Sequence, residues 1–252
     1  MIPKILHYVW LGSAAFPDMV KECIASWHRH MPEGEWIYRL WNEQTIAEAL
    51  GMASFDEAIT LWPPYVREAW EVRKYAFVSD YVRLWALERE GGVYMDVDVF
   101  VHKSLEPLLY CHAFTGFEGS KSNPVLMAFF ATEAHGAWIK EQEAYYQTRH
   151  FVKADGTYDL TPNTAYVSEK MRQHGFLMNG VEQDYLDLHV FPVDYFCPHQ
   201  TTGEYLFTEN TYCEHRGLAS WNEGKSLKSK ILKYLPTSVR VALIKCKRRI
   251  IG

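Results

Sequence analysis

The chain has 252 residues, of which 48% are apolar and 23% charged, and its net charge is −5. This length and apolar content exclude a disordered chain and predict one folded domain, with room for a small helical subdomain. No apolar run reaches the length of about 18 residues that spans a membrane, and the amino terminus lacks the regions of a signal peptide. The five cysteines show no close pairing, which favours neither a zinc site nor a disulfide framework. We therefore expect a cytoplasmic protein.

The apolar pattern alternates between strand and helix periods along the chain. The predicted strands are 5–11, 36–41, 93–98, 114–117 and 125–132. The predicted helices are 17–31, stretches within 46–62, 65–77, 79–90 and 138–146. Ser79 or Asp80 is a plausible N-cap of the fourth of these, and Gly91-Gly92 ends it. The alternation predicts an α/β fold with a mostly parallel central sheet and helices on both faces.

Asp96 and Asp98 come at the end of the apolar run that begins at Val93. If the strand continues through both, its period of two sends both carboxylates to one side, at the carboxyl end where α/β sheets bind ligands. Two carboxylates there suit Mg²⁺ or Mn²⁺, which commonly join protein carboxylates to substrate phosphates. The spacing alone is weak evidence, because a solvated strand end has the same pattern.

Asp80 and Arg83 lie three residues apart, on one face of the helix that precedes this strand. They are candidates for a local ion pair. The alternative is that both face a ligand pocket, where Asp80 would accept sugar hydroxyls and Arg83 would offset diphosphate charge. The residues themselves leave both interpretations open.

Three separated segments resemble one family. The matching motifs are Ile2 to Gly12; Ser79-Asp80-x-x-Arg83 with Gly91-Gly92-x-Tyr94-x-Asp96-x-Asp98; and Asn210 to His215 with Ser220-Trp221. They are similar to glycosyltransferases with a DXD motif of the family 32 type, which includes yeast initiating α-mannosyltransferases and bacterial capsular polysaccharide transferases. The catalytic domains of clostridial glucosylating toxins are also similar. The resemblance covers about residues 2 to 222.

The resemblance implies a GT-A fold and a nucleoside diphosphate sugar as donor, with UDP favoured over GDP. It assigns the catalytic roles to Asp80, Arg83, Asp96 and Asp98, and donor binding to Trp10, Tyr94, Ser220 and Trp221. Trp10 would stack on the base, Asp80 would orient the sugar, and Trp221 would contact the diphosphate. Asp96, Asp98 and His215 would hold the metal, and the imidazole of His215 would favour Mn²⁺ over the harder Mg²⁺.

The implied reaction is transfer with retention of anomeric configuration, without a covalent nucleophile, to a glycan or lipid-linked acceptor in bacterial surface polysaccharide synthesis. Two alternatives stay open: a catalytically silent protein that binds nucleotide sugar or carbohydrate, and a metal-dependent phosphohydrolase. The second leaves the motifs at Trp10 and Trp221 unexplained.

Three other features carry less information. The stretch Leu160 to Thr164 departs from the Gly-Pro-x-x-x-Thr pattern of the relatives, so no acceptor-side residue is assigned there. His7 is expected to be a pocket wall or a core histidine bonded to the backbone. The acidic stretch from Glu182 to Asp187 is expected to be a solvated turn.

Residues 225–252 form a basic segment with nine Lys and Arg and no acid, so the net charge divides into +9 there and −14 on residues 1–224. The domain is therefore expected to span 1–224, followed by a basic amphipathic tail. This tail could lie on an anionic membrane, on the inner face of the cell membrane, or else pack on the domain or fray. Nucleic acid is a poor partner because the domain is acidic.

Overall fold

A computed structural model describes residues 1–12, 14–119, 122–198 and 205–217. The strands are β1 (Ile5–Val9), β2 (Ile37–Trp41), β3 (Gly92–Met95), β4 (Val99–Val101), β5 (Ala113–Gly116), β6 (Phe129–Thr132), β7 (Gln183–Tyr185), β8 (Leu188–Phe191) and β9 (Cys213–His215). The helices are α1 (Asp18–His30), α2 (Glu43–Leu50), α3 (Phe55–Ala58), α4 (Pro64–Glu71), α5 (Tyr75–Glu90), α6 (Ala137–Ala144), α7 (Asn163–Gln173) and α8 (Val193–Phe196). Short 3₁₀ turns cover Ile59–Leu61 and Glu106–Leu108.

The larger sheet has seven strands in the order β2-β1-β3-β6-β5-β8-β7. Five of them run in the same direction, while β6 and β7 run against it. The predicted α/β class with a mostly parallel sheet is confirmed. A second, small sheet pairs β4 with β9 in antiparallel fashion.

Apolar side chains alternate between the two faces of the large sheet because successive residues of a strand point in opposite directions. Val93 and Met95 of β3 join the apolar cluster that includes Trp27 of α1, whereas Tyr94 joins the cluster on the side of α5. The sheet is therefore covered on both faces. Its carboxyl edge, where β1, β2 and β3 end, is left for polar groups.

Helix boundaries differ from the sequence prediction around Asp80. Helix α5 begins at Tyr75, so Ser79 and Asp80 lie inside the helix and neither is its N-cap. The helix predicted at 65–77 is likewise divided into α4 and α5, with Arg73 between them at φ 58°. The predicted end at Gly91 is confirmed, with φ 64°. The glycine also permits close packing, because a Cβ there would lie 2.7 Å from the Ala134 nitrogen.

The strand expected at 93–98 is shorter than predicted. β3 ends at Met95, and Asp96 begins a turn that the Val99 N–H closes on the Asp96 carbonyl at 2.9 Å. Asp96 and Asp98 therefore do not alternate along one strand, as their spacing led us to expect. They lie at the two ends of the link between the large and the small sheet.

None of the helices in the described part of the chain has the length and apolar character needed to cross a membrane. The cysteines at 23, 111, 197 and 213 are free thiols. The basic tail at 225–252 lies outside the described residues.

Candidate active site at the carboxyl edge of the sheet

Two different sheets supply the three groups that can bind a metal. Asp96 follows β3 of the large sheet, and Asp98 immediately precedes β4 of the small one. His215 ends β9, directly opposite Val99 in the antiparallel pairing. The pairing of β4 with β9 thus brings His215 to the two aspartates from a distant part of the chain.

The three side chains are close enough to share one ion. A carboxylate oxygen of Asp96, another of Asp98 and a ring nitrogen of His215 all lie within 4.8 Å of one another. Two carboxylates and one imidazole suit a divalent ion such as Mn²⁺ or Mg²⁺. The predicted ligand set is therefore brought together, and its chemistry fits the metal that the motif implies.

His215 and Asp98 also interact directly. The Nε2 atom of His215 lies 3.4 Å from Oδ1 of Asp98. Burial disfavours the charged imidazole, but the adjacent Asp98 carboxylate raises the pKa of His215 well above its usual value. A bound cation would replace the proton in this role, since a metal ligand must be the neutral imidazole.

Arg83 connects the other two predicted catalytic carboxylates. Its Nη2 atom lies 2.8 Å from Oδ1 of Asp80 and 3.3 Å from Oδ1 of Asp96. Its Nη1 donates to the Met127 carbonyl at 2.7 Å, and the guanidinium lies 4.7 Å from the centre of the Tyr94 ring. The side chain is only 6% exposed. Arg83 is therefore both the local ion-pair partner of Asp80 and part of the site.

Tyr94 orients Asp96 through a side-chain hydrogen bond. Its hydroxyl donates to Oδ1 of Asp96 at 2.6 Å, while its ring is buried in the core. Burial raises the pKa of Asp96, although the nearby positive charge of Arg83 opposes this effect. Tyr94 thus positions a metal ligand, and its own ring is not open to a donor base.

Asp80 occupies a less accessible position than a solvated helix residue. Burial raises its pKa to about 6, and the charges of Arg83 and Arg149 act against that rise. The Asn163 amide also lies close to Asp80 and lowers its pKa. Asp80 is therefore a desolvated acceptor with a charged partner on one side and an amide on the other.

The segment around His215 is attached to helix α1 through Arg216. The Arg216 N–H donates to the Asp98 carbonyl at 2.9 Å. Its side chain contacts Glu214 at 2.7 Å and Glu22 of α1 at 3.1 Å. These contacts fix the backbone on either side of the two ligands that the small sheet supplies.

The structure adds two residues that the sequence did not single out as site residues. Glu118 lies just beyond β5 at the carboxyl edge, where burial raises its pKa and where it interacts with His215 and Asp96. Asn163 begins α7 within the stretch that departs from the family pattern. Glu118 could have been found from its position after a predicted strand, whereas only the topology brings Asn163 to Asp80.

Trp10, the remaining predicted site residue in the described part of the chain, is not part of this cluster. The Trp10 indole donates to the Ala14 carbonyl at 2.6 Å, and its ring packs edge-on against Phe16. Its role in base stacking stays a prediction. Ser220 and Trp221 lie outside the described residues.

His7 is a core histidine bonded to the backbone, one of the two possibilities expected from the sequence. It is fully buried, and its Nε2 lies 2.9 Å from the Gly91 carbonyl. The acidic stretch is more ordered than a solvated turn: Asp187 accepts from the first two N–H groups of α6, and Glu182 and Asp184 contact His189.

A group of possible metal ligands and a buried carboxylate–arginine pair lie together at the carboxyl edge of an α/β sheet, which is where ligands of such sheets usually bind. Residues 17–115 match the family described as "Glycosyltransferase sugar-binding region containing DXD motif". This region includes Asp80, Arg83, Asp96 and Asp98. The resemblance predicted from the motifs is confirmed over this region.

Relatives from two fungi each match a little less than half of the chain. Inositol phosphoceramide mannosyltransferase 1 of Schizosaccharomyces pombe is 28% identical over 110 residues, which is 43% of this chain and 31% of the relative. Glucan organizing enzyme 1 of Cryptococcus neoformans is 27% identical over 118 residues, which is 46% of this chain and 29% of the relative. The chain thus spans about three tenths of the length of these curated relatives. The predicted relationship to glycosyltransferase enzymes is confirmed.

Among solved structures, the PaToxG glycosyltransferase is similar with a TM-score of 0.49 and 18% identity, over 69% of this chain and 70% of that one.

Proposed function

We propose that this protein transfers a sugar from a nucleoside diphosphate sugar to an acceptor hydroxyl in a metal-dependent reaction. The observation that carries the proposal is the convergence of Asp96, Asp98 and His215 beside the buried pair Asp80–Arg83. A nucleotide sugar carries a diphosphate, which a bound metal can contact, and sugar hydroxyls, from which a desolvated carboxylate can accept hydrogen bonds. Ligands for a metal and such a carboxylate lie together here. We further propose Mn²⁺ as the ion, because one ligand is an imidazole.

The bound cation would offset the negative charge that develops on the leaving diphosphate. Asp96, Asp98 and His215 would hold it. Tyr94 keeps Asp96 oriented through its hydroxyl bond, and the segment at Arg216 keeps Asp98 and His215 in register.

Arg83 and Asp80 would act on the sugar side of the donor. Arg83 holds Asp80 and Asp96 on a single guanidinium group, so the two carboxylates keep a fixed separation before the donor binds. Asp80 would accept hydrogen bonds from sugar hydroxyls. Such hydrogen bonds are stronger in a buried position than in water. This preorganisation lowers the entropic cost of reaching the reactive geometry, because the sugar is oriented before an acceptor arrives.

The stereochemistry and the acceptor belong to the same proposal. We propose retention of configuration and a glycan or lipid-linked acceptor, as the family resemblance implies. A lipid acceptor is supported by the names of fungal relatives that act on inositol phosphoceramide. A role in bacterial surface polysaccharide synthesis, at the inner face of the cell membrane, is the setting that we propose for this activity.

The basic tail would bring the domain to an anionic membrane, since each basic residue near such a surface contributes about 1 kcal/mol. Replacing Lys245, Lys247, Arg248 and Arg249 by glutamine should release the protein from phosphatidylserine vesicles. Donor hydrolysis in solution should be unchanged. Equal vesicle binding by the substituted protein would remove the membrane proposal and leave the transferase proposal intact.

The first experiment measures thermal stabilisation by a panel of nucleotides and nucleotide sugars, with and without Mn²⁺, because a ligand that binds the folded state raises its stability. We expect a shift that requires Mn²⁺ for at least one nucleoside diphosphate. The Asp98→Asn variant should lose this shift, and the Asp18→Asn variant, at an exposed position on α1, should keep it.

A product assay then separates the three hypotheses. Transfer of labelled sugar to an acceptor lipid or glycan supports the proposal. Tight nucleotide-sugar binding with no turnover would favour a silent binding protein, and release of inorganic phosphate without an acceptor would favour a phosphohydrolase. No nucleotide binding by the folded protein would contradict the proposal itself.

A further inference from the structure

A cavity of about 510 Å³ opens at the same edge of the large sheet, beside the ends of β1 and β2. Its lining residues are Gly12, Asn42, Glu43, Gln44, Trp70 and Tyr75. In the sheet, β1 is the neighbour of β3 and β2 the neighbour of β1, so the two strands beside the cavity lie about 5 and 10 Å from β3, the strand that Asp96 follows. If the proposed function holds, a nucleotide whose diphosphate lies at the metal site can extend its nucleoside into this cavity.

Aromatic rings form one wall of the cavity. The rings of Trp70 and Tyr75 have centroids 5.0 Å apart. A Cβ on Gly12 would lie 2.7 Å from the Tyr75 ring, so glycine is what lets the ring approach the backbone after β1. Flat apolar surfaces of this kind suit a planar base.

Glu43 provides the carboxylate of the cavity. Its Oε1 accepts the Gly12 N–H at 2.7 Å, which fixes the carboxylate against the loop after β1. A carboxylate has about four acceptor positions, so it retains capacity for further donors.

The two amide side chains that also line the cavity are already engaged. Asn42 accepts the Thr45 N–H at 2.9 Å in the N-cap of α2. Gln44 donates to Glu48 at 2.8 Å. Glu43 is the charged side chain among those that line the cavity, and its carboxylate can only accept hydrogen bonds.

We propose that Glu43 selects a guanine base. Guanine presents two adjacent donors, its N1–H and its 2-amino group, which match the two oxygens of a carboxylate. Uracil presents one N–H between two carbonyl oxygens, and these oxygens would face the negative charge of Glu43. The cavity thus favours GDP over UDP, the reverse of the preference expected from the motifs.

The test measures dissociation constants of GDP, IDP and UDP by titration calorimetry in the presence of Mn²⁺. IDP lacks the 2-amino group and so removes one of the two donors. We expect GDP to bind at least about tenfold more tightly than UDP, with IDP in between. The Glu43→Gln variant should bind GDP about tenfold more weakly than the wild type, and its dissociation constant for UDP should change by less than about twofold. Its amide oxygen can still accept from Gly12, so the fold should be kept.

Glu48→Gln is the matched control, because Glu48 lies on the same helix outside the cavity lining, and it should behave as the wild type. UDP binding as tightly as GDP to the wild type would overturn the inference and leave the proposed function standing. Equal weakening of all three nucleotides in Glu43→Gln would overturn it too, since that result indicates a contact with the ribose. Failure of every nucleotide to bind the wild type would instead contradict the proposed function.

Discussion

In the half of the candidate site next to the large sheet, Asp80, Arg83 and Asp96 lie within seventeen residues of sequence. In the half on the small sheet, Asp98 meets His215, which comes more than a hundred residues later. The first half is held by a buried guanidinium with several partners, and the second by a three-residue strand pairing and the contacts of Arg216. The comparison indicates that the half next to the large sheet is built into one helix and the strand that follows it, whereas the half on the small sheet depends on a late segment of the chain.

Removing Arg83 should break the first half most strongly. Arg83→Met would leave Asp80 and Asp96 buried without their shared cation, so we expect the free energy of unfolding to fall by about 3 to 5 kcal/mol in urea titrations. Arg89→Met is a matched control on the same helix, at an exposed position, and should change it by less than about 1 kcal/mol. Adding Asp80→Asn to Arg83→Met should restore part of the loss. If Arg83→Met unfolds at the same urea concentration as the wild type, the guanidinium does not stabilise this half of the site.

Removing one ligand should break the second half without unfolding the domain. Asp98→Asn keeps the shape of the side chain but loses its charge, and we expect transfer with saturating donor to fall below about 1% of wild type. The unfolding midpoint measured without metal should fall moderately, because the interaction of Asp98 with His215 is weakened. Activity above half of the wild-type rate would exclude Asp98 as a metal ligand.

A pH titration should sharpen the comparison, because the large sheet contains a buried neutral histidine. Burial lowers the pKa of His7 to about 4. In the unfolded chain His7 takes up a proton near pH 6.5, whereas in the folded protein it does so only near pH 4. Its contribution to stability is therefore complete above pH 6.5 and is lost as the pH falls to 4, by about 3 kcal/mol.

His7→Gln should lack this component, so its stability should change less between pH 7 and pH 4. His112→Gln, at an exposed position, should follow the wild-type profile. Parallel profiles for wild type and His7→Gln would mean that His7 is not the source of the loss.

The smallest expected effect concerns Arg216, whose contacts hold the half of the site on the small sheet. Arg216→Gln removes the ion pairs with Glu214 and Glu22, and we expect Mn²⁺ affinity to fall by about tenfold, as when residues that orient metal ligands are replaced. Turnover at saturating Mn²⁺ should be nearly unchanged, which distinguishes positioning of the ligands from a direct role with the donor. Arg172→Gln, whose ion pair with Glu169 lies on α7, is the control and should keep wild-type Mn²⁺ affinity. An unchanged affinity in Arg216→Gln would assign Arg216 to the fold alone.

The sequence was most informative where structure is local. Helix spacing predicted the Asp80–Arg83 ion pair, whereas Asp96 and Asp98 were singled out by their place after a strand and by the family resemblance. The sequence did not predict that β3 ends at Met95. Alternation with a period of two does not show where a strand leaves one sheet and the next strand joins another. The predicted start of α5 was also wrong. Ser79 and Asp80 are residue types that commonly form an N-cap, but the helix begins earlier, at Tyr75.

Long-range relations were accessible only through the family resemblance or the fold. His215 was predicted from its motif, but its pairing opposite Val99 is a property of the topology. Glu118 and Asn163 come to the site because β5 and α7 end or begin there. Glu118 directly follows a predicted strand, whereas nothing in the immediate sequence of Asn163 distinguishes it from other polar residues in loops.

The separation of Asp98 from His215 along the chain also affects how the protein is made. During synthesis, the helix and strand that carry Asp80, Arg83 and Asp96 leave the ribosome long before β9 does. A domain generally folds as a unit. The site proposed for the metal therefore lacks its third ligand until residue 215 has emerged from the ribosome.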